Sequence, residues 1–288
     1  MASATSDAHH EAHYFIPTPS PYPILLSAGL FLLALGGALA VNGSSAGRWS
    51  ALIGALISAY ALSRWLGAVI RENRAGAYQK QEGLSFRVGM WWFIISEAVF
   101  FSSLFGVLFY ERVIAVPWLA SLSPHFSPWA GFKAVWPTSG PHGAPFTPQD
   151  AWGIPAVNTV ILLASAGTVT LALKQMMARE RALATLLVGV TIALGVTFLG
   201  LQAHEFYHAY TSLHLTLGSG VYGATFYLLT GFHALHVTIG LIMLCVILAR
   251  LVEGDFSAEN HFAFQAVGWY WHFVDVVWLF VFLFVYWL

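Results

Sequence analysis

The stretch YGATFYLLTGFHALHVTIGLIMLCVILA, residues 222–249, decides the class of fold. It contains no Asp, Glu, Lys or Arg, and it exceeds the roughly 20 apolar residues that an α-helix needs to cross a bilayer. The rest of the chain has the same character, because 58% of the 288 residues are hydrophobic and only 9% are charged. Soluble domains carry about 25% charged residues. The sequence therefore predicts an all-α integral membrane protein.

Seven segments in total have the length and apolarity of a membrane span. The predicted spans are Pro23–Val41, Trp49–Ile70, Val88–Tyr110, Ala156–Leu173, Ala182–Phe206, Tyr222–Ala249 and Phe262–Leu288. The polar segment 1–22 contains histidines but no basic residue, so we do not expect the first span to be a cleaved signal peptide. We expect a single seven-helix membrane domain, 1–288, that begins with a polar tail.

The basic residues predict the orientation in the membrane. If the N-terminus is cytoplasmic, eight basic residues lie in inner loops and three in outer loops, which agrees with the positive-inside rule. The inner set is Arg71, Arg74, Lys80, Arg87, Lys174, Arg179, Arg181 and Arg250, and the outer set is Arg48, Arg112 and Lys133. We therefore predict a cytoplasmic N-terminus.

Charge and cysteine usage exclude several classes of protein. The net charge is −1 and no run of Lys or Arg occurs, so a nucleic-acid partner is not expected. The single cysteine, Cys245, excludes disulfides and thiolate metal clusters within the chain.

Ionisable residues inside predicted spans are the first candidates for function, because each is costly in lipid unless it is paired. Glu97 lies about 14 Å into its span at 1.5 Å per residue, so its short side chain cannot reach the interface. Two interpretations stay open for Glu97: a carboxyl bonded to a neighbouring helix, or a proton-relay group. The other intramembrane candidates are Arg64, His233, His236, His272 and Asp275.

The sequence HEFYH, 204–208, matches the zincin pattern H-E-x-x-H. On a helix, His204 and His208 would bind zinc and Glu205 would activate a water molecule. An intramembrane zinc metalloprotease is thus the alternative function. No recognised third-ligand motif follows, and a pattern with three fixed positions arises readily by chance in a chain with 12 histidines. Haem ligation by His233 or His236 with His272 is a further metal interpretation, and helix packing is the plainer one.

Several longer motifs resemble one family. The segment WYWHFVDVVWLF, 269–280, closely resembles the signature of cytochrome c oxidase subunit III. Similar matches occur at GMWWFIISEAVFF (89–101), NTVILLAS (158–165) and GVYGATFYLLTGFHALHVTIG (220–240). The matches run from the second span to the seventh in the family's order. At 201–205 the family pattern is LQ..E, which Gln202 and Glu205 match, so the flanking histidines look incidental.

The resemblance implies a subunit of a proton-pumping haem-copper oxidase, which oxidises cytochrome c and reduces dioxygen to water. Such a subunit packs against subunit I, in a complex that also contains subunit II, and carries no catalytic residue, metal or redox cofactor of its own. The haems and copper belong to the partner subunits, and cytochrome c is met only through the complex. The family fold also implies a two-helix and a five-helix bundle separated by a lipid-filled cleft. Composition, with five Met and 26 Gly, favours a bacterial plasma-membrane protein.

The resemblance also implies roles for particular residues. Glu97 matches the family's buried glutamate at the cleft, and Arg71 and Glu72 match an RE pair where lipid headgroups bind. Independently, Arg71, Arg74 and Arg250 lie at the predicted inner interface, where basic pockets attract headgroups. The aromatic Trp65 lies one helical turn deeper. The predicted lipid-binding residues are Trp65, Arg71, Glu72, Glu97 and Arg250. The residues predicted to join helices are His233, His236, His272 and Asp275.

The chain departs from the family pattern at several helix ends. Ser219 replaces an acidic residue, Gln265 replaces a glutamate, and Lys174 lies where a histidine pair is usual. The segment GAYQKQEG, 76–83, also differs from the usual G.HT stretch. These departures affect headgroup chemistry and subunit contacts more than the fold.

Overall fold

The computed structural model describes residues 19–78, 80–121, 132–141 and 143–288. The histidine-bearing stretch DAHHEAH, 7–13, lies outside them. Over the described residues the chain is helical, without a β-strand. The helices are α1 Tyr22–Val41, α2 Ser45–Arg74, α3 Lys80–Phe109, α4 Val116–Ser121, α5 Ile154–Met177, α6 Arg181–Thr211, α7 Gly220–Glu253 and α8 Phe262–Val281. Two π-helical segments, Tyr110–Ala115 and Phe282–Trp287, continue α3 and α8.

The prediction of an all-α protein with seven membrane helices is confirmed. Within the described residues, seven helices are long and apolar enough to span a bilayer. The five helices between the first and the last extend past the predicted spans at both ends, because polar residues at span ends continue the helical hydrogen bonding. α2, for example, ends with Arg71 and Arg74 in its last turn, where cations interact favourably with the helix dipole. The third span runs on through a π-helical turn to Ser121.

The chain forms two compact units, one ending at Phe86 and the other running from Arg87 to Leu288. In the first unit, small residues allow α1 and α2 to approach closely. A Cβ atom at Gly36 would overlap the main chain of Ala51, and one at Gly54 would overlap the main chain of Leu33. Close packing at small residues is how helices associate in lipid, where no hydrophobic force acts between them.

The second unit has its core around α8. Trp271 is fully buried, and its indole occupies the space beside Gly195 of α6 and Gly240 of α7. The Trp271 Nε1–H donates to Ser165 Oγ of α5 at 3.0 Å. One tryptophan thus contacts three helices, and its polar atom is satisfied inside lipid, as buried indoles require.

Candidate functional site

A cavity of about 600 Å³ lies in the first unit, where α2 ends and α3 begins. Three of the predicted lipid-binding residues, Trp65, Arg71 and Glu72, line it. Its other lining residues are Pro19, Ser20, Pro21, Tyr22, Ala68, Val69, Tyr78, Glu82, Ser85 and Phe86. The volume falls in the range of small-molecule sites, about 300–1,000 Å³.

The lining of this cavity is amphipathic. Ala68, Val69 and Phe86 contribute apolar surface, whereas Arg71 provides a cation that can bind an anionic oxygen. The carboxyls of Glu72 and Glu82 provide acceptors for a cation or a hydroxyl group. The cavity can therefore bind a molecule that has apolar parts and both signs of charge.

Tyr78 orders one wall of the cavity. Its hydroxyl donates to Glu72 Oε2 at 2.5 Å, and its ring packs edge-on against Phe86 at 5.0 Å between centroids. Burial raises the pKa of Tyr78 above its ordinary value, and the bond to Glu72 and its negative charge raise the pKa further. Tyr78 therefore stays a protonated donor to Glu72 at physiological pH.

Sequence reasoning missed Tyr78 and Glu82 as parts of this site. Both lie in the segment 76–83, which departs from the family pattern. Glu82 is 4% exposed and lies in the first turn of α3. A carboxyl among the basic residues of a predicted inner loop is the sequence signal that could have identified it.

Glu97, also predicted to contact lipid, lies in the second unit and bonds to α7. Its Oε2 is 3.0 Å from His236 Nε2, and His236 Nδ1 is 2.7 Å from the carbonyl oxygen of Phe232. Because that carbonyl can only accept, Nδ1 carries a proton. One proton is therefore shared between Glu97 and His236 Nε2, as a neutral hydrogen bond or as an ion pair. This contact joins α3 to α7, and the proton-relay interpretation of Glu97 stays a prediction.

The polar residues predicted to join helices make the following contacts. His233 Nε2 lies 3.1 Å from the carbonyl oxygen of Val274, which connects α7 to α8. His272 Nε2 lies 3.0 Å from Thr170 Oγ1, which connects α8 to α5. His272 Nδ1 is 3.8 Å from Asp275 Oδ2, within ion-pair range but beyond a hydrogen bond.

Arg250, the fifth predicted lipid-binding residue, is 6% exposed. Its Nε–H donates to Asp255 Oδ2 at 3.0 Å, and its guanidinium lies 4.6 Å from the centroid of Phe256. The charge of Arg250 is thus already paired within the chain. Its role toward lipid stays a prediction.

The family departures at Ser219 and Gln265 have local partners. Ser219 Oγ accepts the main-chain N–H of Thr216 at 2.8 Å, at the start of α7. Gln265 Oε1 accepts from Arg87 Nη1 at 2.6 Å, and the Arg87 guanidinium also lies over the ring of Phe262 at 4.8 Å. Lys174 lies in the last turn of α5, a favourable place for a cation.

The three residues of the zincin match differ in their exposure on α6. His204 and His208 are exposed on α6, whereas Glu205 is fully buried on the face toward the core. Among the described residues, no three His, Cys, Asp or Glu side chains form a group that could hold a metal ion.

Known proteins of one description match this chain over nearly its whole length. A family model described as "Cytochrome c oxidase subunit III" matches residues 10–288. "Cytochrome c oxidase subunit 3" of Prototheca wickerhamii is 38% identical over 274 residues, covering 95% of this chain and 96% of that protein. The protein of the same name from Formosania lacustris is 37% identical over 282 residues, and that from Sus scrofa is 36% identical over 282. Both alignments cover 96% of this chain and 98% of the relative.

Proposed function

Because this chain belongs to the cytochrome c oxidase subunit III family, we propose that it supports subunit I and sustains proton uptake into it. As a family member it is a multi-pass membrane subunit of the cytochrome c oxidase complex. The oxidase chemistry, the haems and the copper belong in this proposal to the partner subunits I and II. Cytochrome c would therefore interact with the complex and not with this chain alone.

A second part of the proposal is that the cavity of the first unit binds a phospholipid headgroup. Its position at the end of α2, beside the last-turn residues Arg71 and Glu72, supports this function. A headgroup phosphate would bind the Arg71 guanidinium, and Trp65 would contact the glycerol region, as interfacial aromatic residues do. Glu97 and Arg250 stay lipid-binding proposals that rest on the family resemblance and the positive-inside pattern.

The lipid proposal is tested by Arg71→Gln in the purified oxidase complex. Loss of one basic contact near a membrane surface is worth about 1 kcal/mol, so we expect roughly fivefold weaker retention of one phospholipid per complex. Native mass spectrometry with lipid extraction measures this retention. Arg48→Gln is the matched control, because Arg48 is exposed near the other end of the same helix. Equal retention in the two variants would contradict the proposal.

The assembly proposal is tested by affinity purification of this chain from native membranes in mild detergent. We expect two larger subunits, haem absorbance and copper to co-purify in fixed proportion. A chain that elutes alone would contradict the assembly. Zinc bound at one per chain and lost on His204→Ala would restore the metalloprotease alternative.

We also assign the complex to a bacterial plasma membrane. This part rests on composition, namely few Met and many Gly residues, and the relatives compared above do not support it. Localisation of the tagged chain in its native cell is the direct test. Mitochondrial localisation would refute the assignment.

A further inference from the structure

Glu205 of α6 has no part in the lipid cavity or the predicted helix contacts. It is fully buried, and neither carboxyl oxygen has a hydrogen-bond partner within the described residues. A carboxyl buried without partners is strongly unfavourable, whether it is charged or neutral. The side chains around Glu205 therefore indicate what kind of group could form hydrogen bonds with its carboxyl.

Other buried polar side chains surround Glu205. Gln202 and Tyr286 lie close enough to the carboxyl to interact with it, but neither contact meets the distance and angle of an ordinary hydrogen bond. Gln202 Nε2–H donates weakly to the Tyr286 hydroxyl at 3.4 Å, and Gln202 Oε1 has no partner. Tyr222 closes the group from α7, with its hydroxyl donating to the carbonyl oxygen of Val285 at 3.3 Å.

Asn158 of α5 lies at a similar depth in the helix bundle to Gln202 of α6. Thr168 Oγ1 and Thr191 Oγ1 are 2.7 Å apart and fix the register of the antiparallel helices α5 and α6. Counting ten residues back from Thr168 and eleven on from Thr191 places Asn158 and Gln202 at about the same depth along the two helices. Asn158 is fully buried, and both its Nδ2 and its Oδ1 lack partners.

We propose that ordered water molecules occupy a polar site formed by Asn158, Gln202, Glu205, Tyr222 and Tyr286. Four of the unpartnered atoms are oxygens, and the fifth, Asn158 Nδ2, is a donor. Water satisfies both kinds of group because it donates and accepts, and buried waters typically make about three hydrogen bonds to such atoms. A cation could bind the four oxygens, but it could not accept a hydrogen bond from Asn158 Nδ2.

This hydration site would join four elements of the second unit. Asn158 lies on α5, Gln202 and Glu205 on α6, Tyr222 on α7, and Tyr286 in the π-helical segment after α8. Bridging waters would connect side chains that do not meet directly, as water-mediated hydrogen bonds do elsewhere. The inference is independent of the lipid proposal, because no residue of the cavity takes part.

The test is a cryo-EM map of the complete oxidase complex, in lipid nanodiscs, at a resolution that shows ordered water. We expect water density about 2.7–3.2 Å from the Glu205 carboxyl and from the Asn158 amide. A dry site, or direct hydrogen bonds that close the gaps, would overturn the inference. Density that gains strong scattering when rubidium replaces the other monovalent cations would also overturn it, in favour of a cation site.

Variants give a second, independent measurement. Glu205→Gln keeps polar atoms for water, so we expect the density to persist and the yield of assembled complex to stay within about twofold, allowing for one altered hydrogen bond. The pair Asn158→Leu and Glu205→Leu removes the polar walls, and we expect the density to disappear. Glu180→Gln, at an exposed position before the same helix, is the control. Persistent density in the double variant would overturn the assignment of these residues.

Discussion

At the scale of single residues, Trp271 shows how a large side chain organises the second unit. Its ring fills space that exists because residues 195 and 240 are glycines. Its Nε1–H needs an acceptor in lipid and finds one at Ser165 Oγ. The residue types at four positions are therefore mutually dependent.

Gly240→Ala should destabilise the chain. The added methyl group would lie 2.8 Å from Trp271 Cε3, and overpacking of this kind costs about 1–3 kcal/mol. We expect a lower midpoint of thermal unfolding for the purified complex. Gly231→Ala on the same helix meets nothing within 4 Å and should be neutral or stabilising by up to about 1 kcal/mol. Equal midpoints for the two variants would show that the ring moves aside freely.

At the scale of elements, α1 and α2 pack through glycines rather than through large side chains. Gly29 and Gly36 recur at seven-residue spacing on α1, and Gly47 and Gly54 do so on α2. All four are buried in this unit, while large apolar residues such as Leu30 and Leu56 stay exposed. The large apolar side chains therefore point away from the helix pair, and the small residues face the neighbouring helix.

Gly36→Ala should weaken the α1–α2 pair, because its methyl group would meet the main chain of Ala51, which cannot move without separating the helices. We expect a loss of about 1–3 kcal/mol in the free energy of unfolding, measured by SDS titration of the full chain in detergent. Gly37→Ala is the matched control, since a methyl group there meets nothing within 4 Å. A similar loss in both variants would indicate an effect of helix propensity instead.

At the scale of the whole molecule, the exposed surface of each unit is strongly apolar. Ile24 is 74% exposed in the first unit, and Trp92 is 67% exposed in the second. Patches of this kind on a membrane protein are covered by lipid or by other subunits. This agrees with the family assignment to a multi-subunit oxidase, and it explains why the co-purification experiment must keep the membrane complex intact.

The sequence by itself showed that the chain lies in a lipid bilayer, that it crosses the bilayer as helices, and which family it belongs to. Apolar runs of sufficient length specify membrane helices without any knowledge of packing, because a backbone in lipid must satisfy its own hydrogen bonds. The motifs at 89–101 and 269–280 then identified the family. Of the residues that line the cavity, Arg71 and Glu72 followed from the resemblance, and Trp65 followed from its place near the predicted inner interface. The predicted positions of the helix ends were less accurate, because polar turns such as the one containing Arg74 continue the helix beyond the apolar run.

Only the tertiary structure decided which polar residues meet. The pairing of Glu97 with His236 joins residues 139 positions apart, and the burial of Glu205 depends on the face of α6 that packs inward. The H-E-x-x-H pattern illustrates the limit: its spacing specifies a helical face for the histidines, but not which face is covered. Side-chain contacts between helices depend on register and rotation, which are set by packing at residues such as Gly240 and Trp271.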